Sequence, residues 1–310
     1  MNNAHLTIIL YHGVTDFKSK GIENISGKHL DVDEYFDQMK WLKRNTNILS
    51  MEEVFYILSN NKSFPKNAIA ITFDDGFENN YSKAFPILKN LEIPTTFYIS
   101  SAMIGSNKMF WVDKLEDCIN NAKSKTINMM LEKEYNFELK NTEDKINALT
   151  KIKSFCKMSK NSLKEKVIEQ LIAQTDHKPD SSNSDNYKVM SWQQLKEMSL
   201  NEYVIIGGHS SSHEILSKLD VDEMQKIVKS SIDKLSSELN IKIEHYSYPE
   251  GQHDHYNQEV INALISNGIK CCPSAIHGVN YQGDDPFHLK RIMVGFAKTP
   301  FPEDLIKSSN

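Results

Sequence analysis

The segment ITFDDGFENN, residues Ile71 to Asn80, ends an apolar run on two adjacent carboxylates and a glycine. The run that leads into it, NAIAITF (Asn67 to Phe73), has the length and β-branched content of a short buried strand, and Gly76 permits the sharp turn that ends it. Two like charges therefore stand at a strand end.

Outward from this point, short apolar strands alternate with amphipathic helices, the rhythm of βα units around a parallel sheet. LTIILYH, ending in His12, predicts the first strand. DVDEYFDQMKWLKRN predicts a helix with Tyr35, Phe36, Met39, Trp41 and Leu42 on its apolar face, and SMEEVFYILSNN a second opened by a Ser50–Glu53 capping box. NNYSKAFPILKNLEI reads as a helix despite Pro86, and PTTFYIS as a strand. From about Gly105 to about Tyr187 the pattern changes to Lys, Glu, Asn and isolated apolar residues, with EDKINALTKIKSFCKMSKNSLKEKVIEQLIAQ at helical spacing. This predicts a helical insertion ending in the polar loop DHKPDSSNSDN, whose composition is that of a flexible connection. The βα rhythm then resumes through SWQQLKEMS, YVIIGGH, DEMQKIVKSSIDKLSSELN, HYSYP, YNQEVINALISNG and IKCCPSAI.

The 310 residues are read as one domain spanning 1–310, long enough to bury a substantial core. A net charge of -5 and a pI near 6.1 leave no basic footprint, which argues against nucleic-acid binding. Four cysteines make no disulfide framework in such a chain, and Cys271 and Cys272 are too close for an ordinary bridge, so reduced core thiols are expected. MNNAHLTIILYHGV shows neither a basic leader nor a small-residue cleavage site, and no segment has the length of a membrane span. The expected location is the cytoplasm.

Parallel α/β folds place their chemistry at the carboxyl ends of the strands. Three titratable clusters stand at such ends: Asp74–Asp75, His209 in GGHSSSH, and His12. His209 and His213 are four residues apart, a spacing that would put both rings on one side of a helical turn, with Ser211 and Glu214 as its capping box. Among eleven histidines about 0.4 such spacings arise by chance, so the pair means little alone. Together with Asp75 it supplies two imidazoles and a carboxylate, enough for three positions of a divalent ion. If Asp75 is the ligand, Asp74 is left beside the ion as a general base.

TFDDG followed far downstream by HSSSH resembles the first two motifs of the polysaccharide deacetylases, the NodB-type domain of carbohydrate esterase family 4. SYPEG (Ser247 to Gly251), SWQQLKEM and FWVDKLED are similar to further segments of that family, and the resemblance spans nearly the whole chain. It implies a distorted (β/α)7 barrel with a helical insertion at about 105–187. Asp74 resembles the family's catalytic base, Asp75, His209 and His213 its metal ligands, and Tyr248 the residue whose backbone N–H binds the oxyanion. The arginine that many members carry before the third-motif proline is missing from HYSYPEG, and Arg291 in LKRIMV is the candidate replacement. The histidine of a C-terminal strand, which protonates the leaving nitrogen in many members, is also missing. IILYH at the N-terminus offers His12 instead, as in circularly permuted members, with His288 as an alternative.

The resemblance implies a metal-dependent hydrolase that removes an N-acetyl group from an amino sugar. The ion would be zinc first, with cobalt, nickel or manganese as alternatives. The substrate would be a sugar nucleotide, a lipid-linked sugar or an oligosaccharide of surface-glycan assembly. Two rivals are an N-deformylase of a formamido sugar and a non-catalytic glycan-binding domain. HDH (His253 to His255) is expected to face solvent, and Phe110 and Trp111 to pack the insertion against the barrel.

Overall fold

The computed structural model describes residues 4–296, so residues 1–3 and 297–310 of the single domain expected above lie outside the described residues. Strands β1 (Leu6–Tyr11), β2 (Gly13–Thr15) and β3 (His29–Asp31) precede helix α1 (Val32–Asn45), and β4 (Asn47–Ile48) leads into α2 (Met51–Ser59). After β5 (Ala68–Phe73), a π-helical turn at Asn80–Ala84 runs into α3 (Phe85–Leu91), and β6 (Thr95–Ile99) follows. The 105–187 segment holds α4 (Trp111–Asn120), β7 (Thr126–Met130), β8 (Glu134–Glu138), α5 (Thr142–Met158) and α6 (Asn161–Thr175). The chain continues with α7 (Trp192–Ser199), β9 (Val204–Gly208), α8 (Val221–Leu239), α9 (Gln258–Ser266) and β10 (Ile292–Met293).

The central sheet is parallel, in the order β10-β1-β5-β6-β9, with β4 beside the start of β5. Every residue of β1 and β5 is buried, as expected for strands covered on both faces. Alternate residues serve the two sides. Ile9, Tyr11, Ile69, Ile71 and Phe73 pack with Tyr35, Met39 and Leu42 of α1 and Phe85 and Leu88 of α3. Leu6, Ile8, Ala68 and Ala70 pack with Cys271 and Leu289.

The sheet does not end at β9. Parallel bridges pair Gly208 with Tyr246, His245 with Cys271 and His277 with Arg291, and the Ser274 N–H donates to the Leu289 carbonyl. Since β10 pairs with β1, hydrogen-bonded neighbours run right round a (β/α) barrel in which irregular segments replace regular strands along 245–248 and 271–277. The strands expected in HYSYP and IKCCPSAI thus exist only as isolated bridges.

Local chemistry explains several elements. The Ser50–Glu53 capping box forms as expected, and Pro86 sits in the first turn of α3, where its missing N–H costs nothing. In α1, Gln38 joins Tyr35, Met39 and Leu42 on the buried face, its side-chain carbonyl accepting from the buried Tyr11 hydroxyl at 2.7 Å, while Trp41 packs half-buried against the same core and Phe36 is exposed. All four cysteines are free and buried. Among the described residues no helix is long and apolar enough to cross a membrane.

The insertion is not purely helical. β7 and β8 form an antiparallel hairpin, and Ile127 and Met129 join a separate apolar cluster with Trp111, Leu115, Ile152 and Leu171. The 176–186 loop, expected to be a flexible connection, is tied down. The buried Asp117 carboxylate accepts from the Asp180 N–H and the Asn183 amide and pairs with His177, while Glu23 accepts from Ser184 and Asn186.

Candidate active site

The end of β5 sets the site. The Asp74 N–H donates to the Tyr11 carbonyl at 3.0 Å, which carries the β1–β5 pairing one residue past the strand. Asp75 then adopts φ 80° and Gly76 φ 99°, so the chain turns sharply and aims two successive carboxylates differently. A non-glycine residue with positive φ persists only where its surroundings over-determine it. At Gly76 that φ would strain any other residue, and a Cβ there would lie 3.1 Å from Ile104 and 3.3 Å from Ile99, so a substitution would also push on those side chains.

The end of β9 brings in the histidines. The His209 N–H continues the ladder by donating to the Ile99 carbonyl at 2.9 Å. A Cβ on Gly208 would lie 2.4 Å from the Tyr246 ring, whose hydroxyl accepts from the Ser210 N–H at 2.7 Å. The second glycine of GGH therefore lets Tyr246 approach and hold the loop. No helix begins inside HSSSH. Ser210 and His213 take φ of 58° and 63°, and Glu214 accepts from the Ser211 and Ser212 backbones without heading a helix. The two rings converge through a strained turn, 5.0 Å apart between centroids, and the expected helical spacing does not bring them together.

Asp75, His209 and His213 are all buried, and one ligand atom from each lies within 4.8 Å of the others. The Asp75 Oδ1 stands 3.5 Å from Nε2 of either histidine and, among the described residues, has no hydrogen-bond partner. The Ser247 carbonyl lies 2.9 Å from Nδ1 of His209, which fixes a tautomer with the Nε2 lone pair facing Asp75. An orphaned carboxylate oxygen between two imidazole nitrogens fits a divalent cation, and so does the donor set. Burial pushes the Asp75 carboxyl well above its ordinary pKa, with Asp74, Asp113 and Glu250 adding to the effect, and it pushes His213 down to about 3.

Asp74 is placed differently. Arg291, 1% exposed, donates from both terminal nitrogens to its two oxygens at 2.8 Å each, a planar fork on a carboxylate. The Ser247 hydroxyl donates to the same carboxylate at 3.2 Å and lies 2.8 Å from Nδ1 of His209. Burial works to raise the Asp74 pKa, but Arg291 and His209 outweigh it and hold the group ionised, well below the usual range.

One cavity of about 260 Å³ joins these residues to His12 and Tyr248. Among the described residues the buried Nδ1 of His12 has no partner, and burial, with Lys28, Arg291 and His209 adding to it, pushes its pKa down to about 3. The Tyr248 N–H donates to the Pro273 carbonyl at 3.5 Å, the weak limit of a hydrogen bond. Its hydroxyl donates to the Phe287 carbonyl and its ring stacks on Tyr256. His288 is exposed, lies beside the Tyr256 hydroxyl and does not line the cavity. Of HDH, His253 and Asp254 face solvent as expected, but His255 is buried and accepts from the Gln252 N–H. Phe110 stands edge-on to His213 and 5.1 Å from Phe77, so it packs behind the histidine, and Trp111 lies in the insertion's own core.

The sequence reading missed Ser247, Glu250 and the lysines Lys28, Lys153 and Lys157 that also line this cavity. Ser247 was within the quoted SYPEG segment, where a short polar residue between two buried tyrosines is the available signal. The lysines carried none, because solvated helix faces hold the same residues.

Comparison with known proteins bears on the family and the fold. A poly-β-1,6-N-acetyl-D-glucosamine N-deacetylase of Staphylococcus aureus is 35% identical over 98 residues. That match covers 31% of this chain and 32% of the relative, so the curated relatives are matched over only about a third of their length. In fold, the chain is similar to the deacetylase PplD of Streptococcus pyogenes, solved in complex with acetate, at a TM-score of 0.63 with 18% identity and 99% of both chains covered. It is also similar to IcaB of Ammonifex degensii, at a TM-score of 0.61 with 16% identity, covering 99% of this chain and 96% of that one. The family model for polysaccharide deacetylases matches residues 61–272, more than half of the sequence, and the chain belongs to the polysaccharide deacetylase family.

Proposed function

We propose that the protein is a metal-dependent N-deacetylase that hydrolyses the acetamido group of an amino sugar in a surface glycan or its precursor. The observation that carries this reading is the division of labour between adjacent carboxylates in one cavity: Asp75 faces His209 and His213, and Asp74 faces Arg291. Asp75, His209 and His213 would hold a divalent ion, zinc first and cobalt, nickel or manganese as alternatives. When bound, the ion would supply Lewis acidity that polarises the acyl carbonyl and makes a water acidic enough to attack near neutral pH.

The chain's own groups then move the protons. Asp74, oriented by Arg291, takes the proton of the attacking water. His12 rests neutral and takes up a proton from solvent as negative charge develops on the carbonyl oxygen; it passes that proton to the departing nitrogen, and the proton held by Asp74 returns to solvent as the product acid leaves. The Tyr248 N–H exchanges its long contact with the Pro273 carbonyl for that oxygen. The missing third-motif arginine, which favoured a glycan-binding domain without activity, loses its force now that a buried Arg291 reaches Asp74 from the other end of the chain.

The test is release of acetate and formate from N-acylated sugar nucleotides, lipid-linked sugars and oligosaccharides with zinc or cobalt added. Metal-dependent acetate release that Asp74→Asn abolishes is the expected result. Formate in its place makes the protein an N-deformylase, and ion binding with neither acid released makes it a glycan-binding domain.

A further inference from the structure

The active-site cavity shares Lys28, Val112, Lys153 and Lys157 with a second cavity of about 440 Å³, which runs between the 25–28 loop and helices α4 and α5 of the insertion. Beyond the shared residues its walls combine the apolar Ile25, Ile146 and Leu149 with Ser26, Thr150 and Ser154 and with two carboxylates that are already engaged, Asp113 by Lys28 and Glu116 by the Asn24 N–H and the Tyr187 hydroxyl. The junction is ringed by three lysines. Lys153 and Lys157 lie four apart on α5 and so project to the same side.

Two of the three ammonium groups are engaged. Lys28 pairs with Asp113 and Lys157 with Glu250. Lys153 makes no hydrogen bond and no ion pair within 4 Å among the described residues, and Glu250 and Glu116 act on it only at longer range. The Glu116 carboxylate is turned to the Asn24 N–H and the Tyr187 hydroxyl. A half-buried cation without a partner is costly, and here burial pushes its pKa down. An anion at the junction would relieve that cost.

Resting on the deacetylase reading above, we propose that this junction is a subsite for an anionic group on the amino-sugar substrate, a phosphate or carboxylate next to the reacting sugar, with Lys153 as its main contact. The second cavity receives whatever the anion carries beyond it, with Ile25, Ile146 and Leu149 as its apolar wall. The insertion thereby sets substrate choice for chemistry held by the barrel.

Calorimetric titration of the zinc-loaded full chain with three probes tests this: N-acetylglucosamine, N-acetylglucosamine 1-phosphate, and a disaccharide of N-acetylglucosamine and glucuronic acid. At least one anionic probe is expected to bind about tenfold tighter than the neutral sugar or better, in line with a charge-assisted contact. Whichever gains identifies the anion. Lys153→Gln should remove the advantage while neutral sugar still binds, and Lys153→Arg should keep it. Equal binding of all three probes overturns the proposal, as does an advantage that survives Lys153→Gln, or loss of neutral and anionic binding alike in that variant. Acetate release by the unmodified chain is scored separately. Its absence refutes the hydrolase, while the titrations still decide the subsite.

Discussion

Asp117 in the insertion and Asp75 in the barrel are both buried carboxylates, and they differ in what their oxygens meet. Asp117 accepts from Asn121, Asn183 and the Asp180 backbone and pairs with His177, which leaves neither oxygen for a ligand. Among the described residues Asp75 keeps one oxygen without a donor, 3.5 Å from Nε2 of both His209 and His213. Saturation makes the first a structural tie for the 176–186 loop, and its absence is what suits the second to the ligand role proposed above. Asp74 lies between the two: satisfied by Arg291, yet opening on a cavity.

The largest effect that would break this comparison is at Arg291. Arg291→Leu leaves Asp74 buried without its partner and should cost about 3–5 kcal/mol in urea unfolding. Arg291→Lys should restore only part, because an ammonium cannot reproduce the planar fork. A loss below about 1 kcal/mol would mean that Asp74 does not depend on the pair.

Next comes Glu116, which lines the second cavity from α4 and accepts from the Asn24 N–H and the Tyr187 hydroxyl. Burial pushes its pKa up to about 7, so across roughly pH 4.5–7 the folded chain keeps a proton that the unfolded chain releases. Stability from this group is therefore greatest below that window and falls as pH rises through it, by at most about 3 kcal/mol. Unfolding midpoints of Glu116→Gln and the parent should lie close together at pH 4.5 and diverge toward pH 7.5, the parent falling below the variant as its buried carboxyl ionises, and parallel curves would contradict the assignment.

Ser247→Ala removes the hydroxyl shared by Asp74 and His209, and should lower metal affinity or turnover by about 10–100-fold with little change in stability. The smallest effect is expected at Asp117→Asn, where an amide still accepts but loses the charge-assisted bonds. A stability loss of about 1 kcal/mol with unchanged acetate release would sharpen the contrast, and a fall in activity would tie the insertion's loop to the chemistry.

The sequence and the structure agree most closely where a local pattern carries the information. The buried run before Asp74, the turn at Gly76 and the histidines at the ends of β1 and β9 are all short-range signals that the folded chain keeps. Arg291 is 217 residues from Asp74, so their contact depends on barrel closure, and only the resemblance to a family made it a candidate. The hairpin was hidden because the alternation of Ile127 and Met129 sits among charged residues that read equally well as a solvated helix. The turn in HSSSH was misread as a helix because the positive φ at Ser210 and His213 is imposed by Tyr246 and the strand end, not by local propensity.

The central claim is that one acid of the pair holds the ion and the other holds the proton. It is tested most directly by measuring zinc binding and acetate release together in the parent, Asp74→Asn and His213→Ala. The account predicts that Asp74→Asn binds zinc as the parent does but releases acetate about 10²–10⁴-fold more slowly, while His213→Ala loses zinc binding and turnover together. Zinc binding lost in Asp74→Asn, or acetate release retained in it, would contradict the assignment.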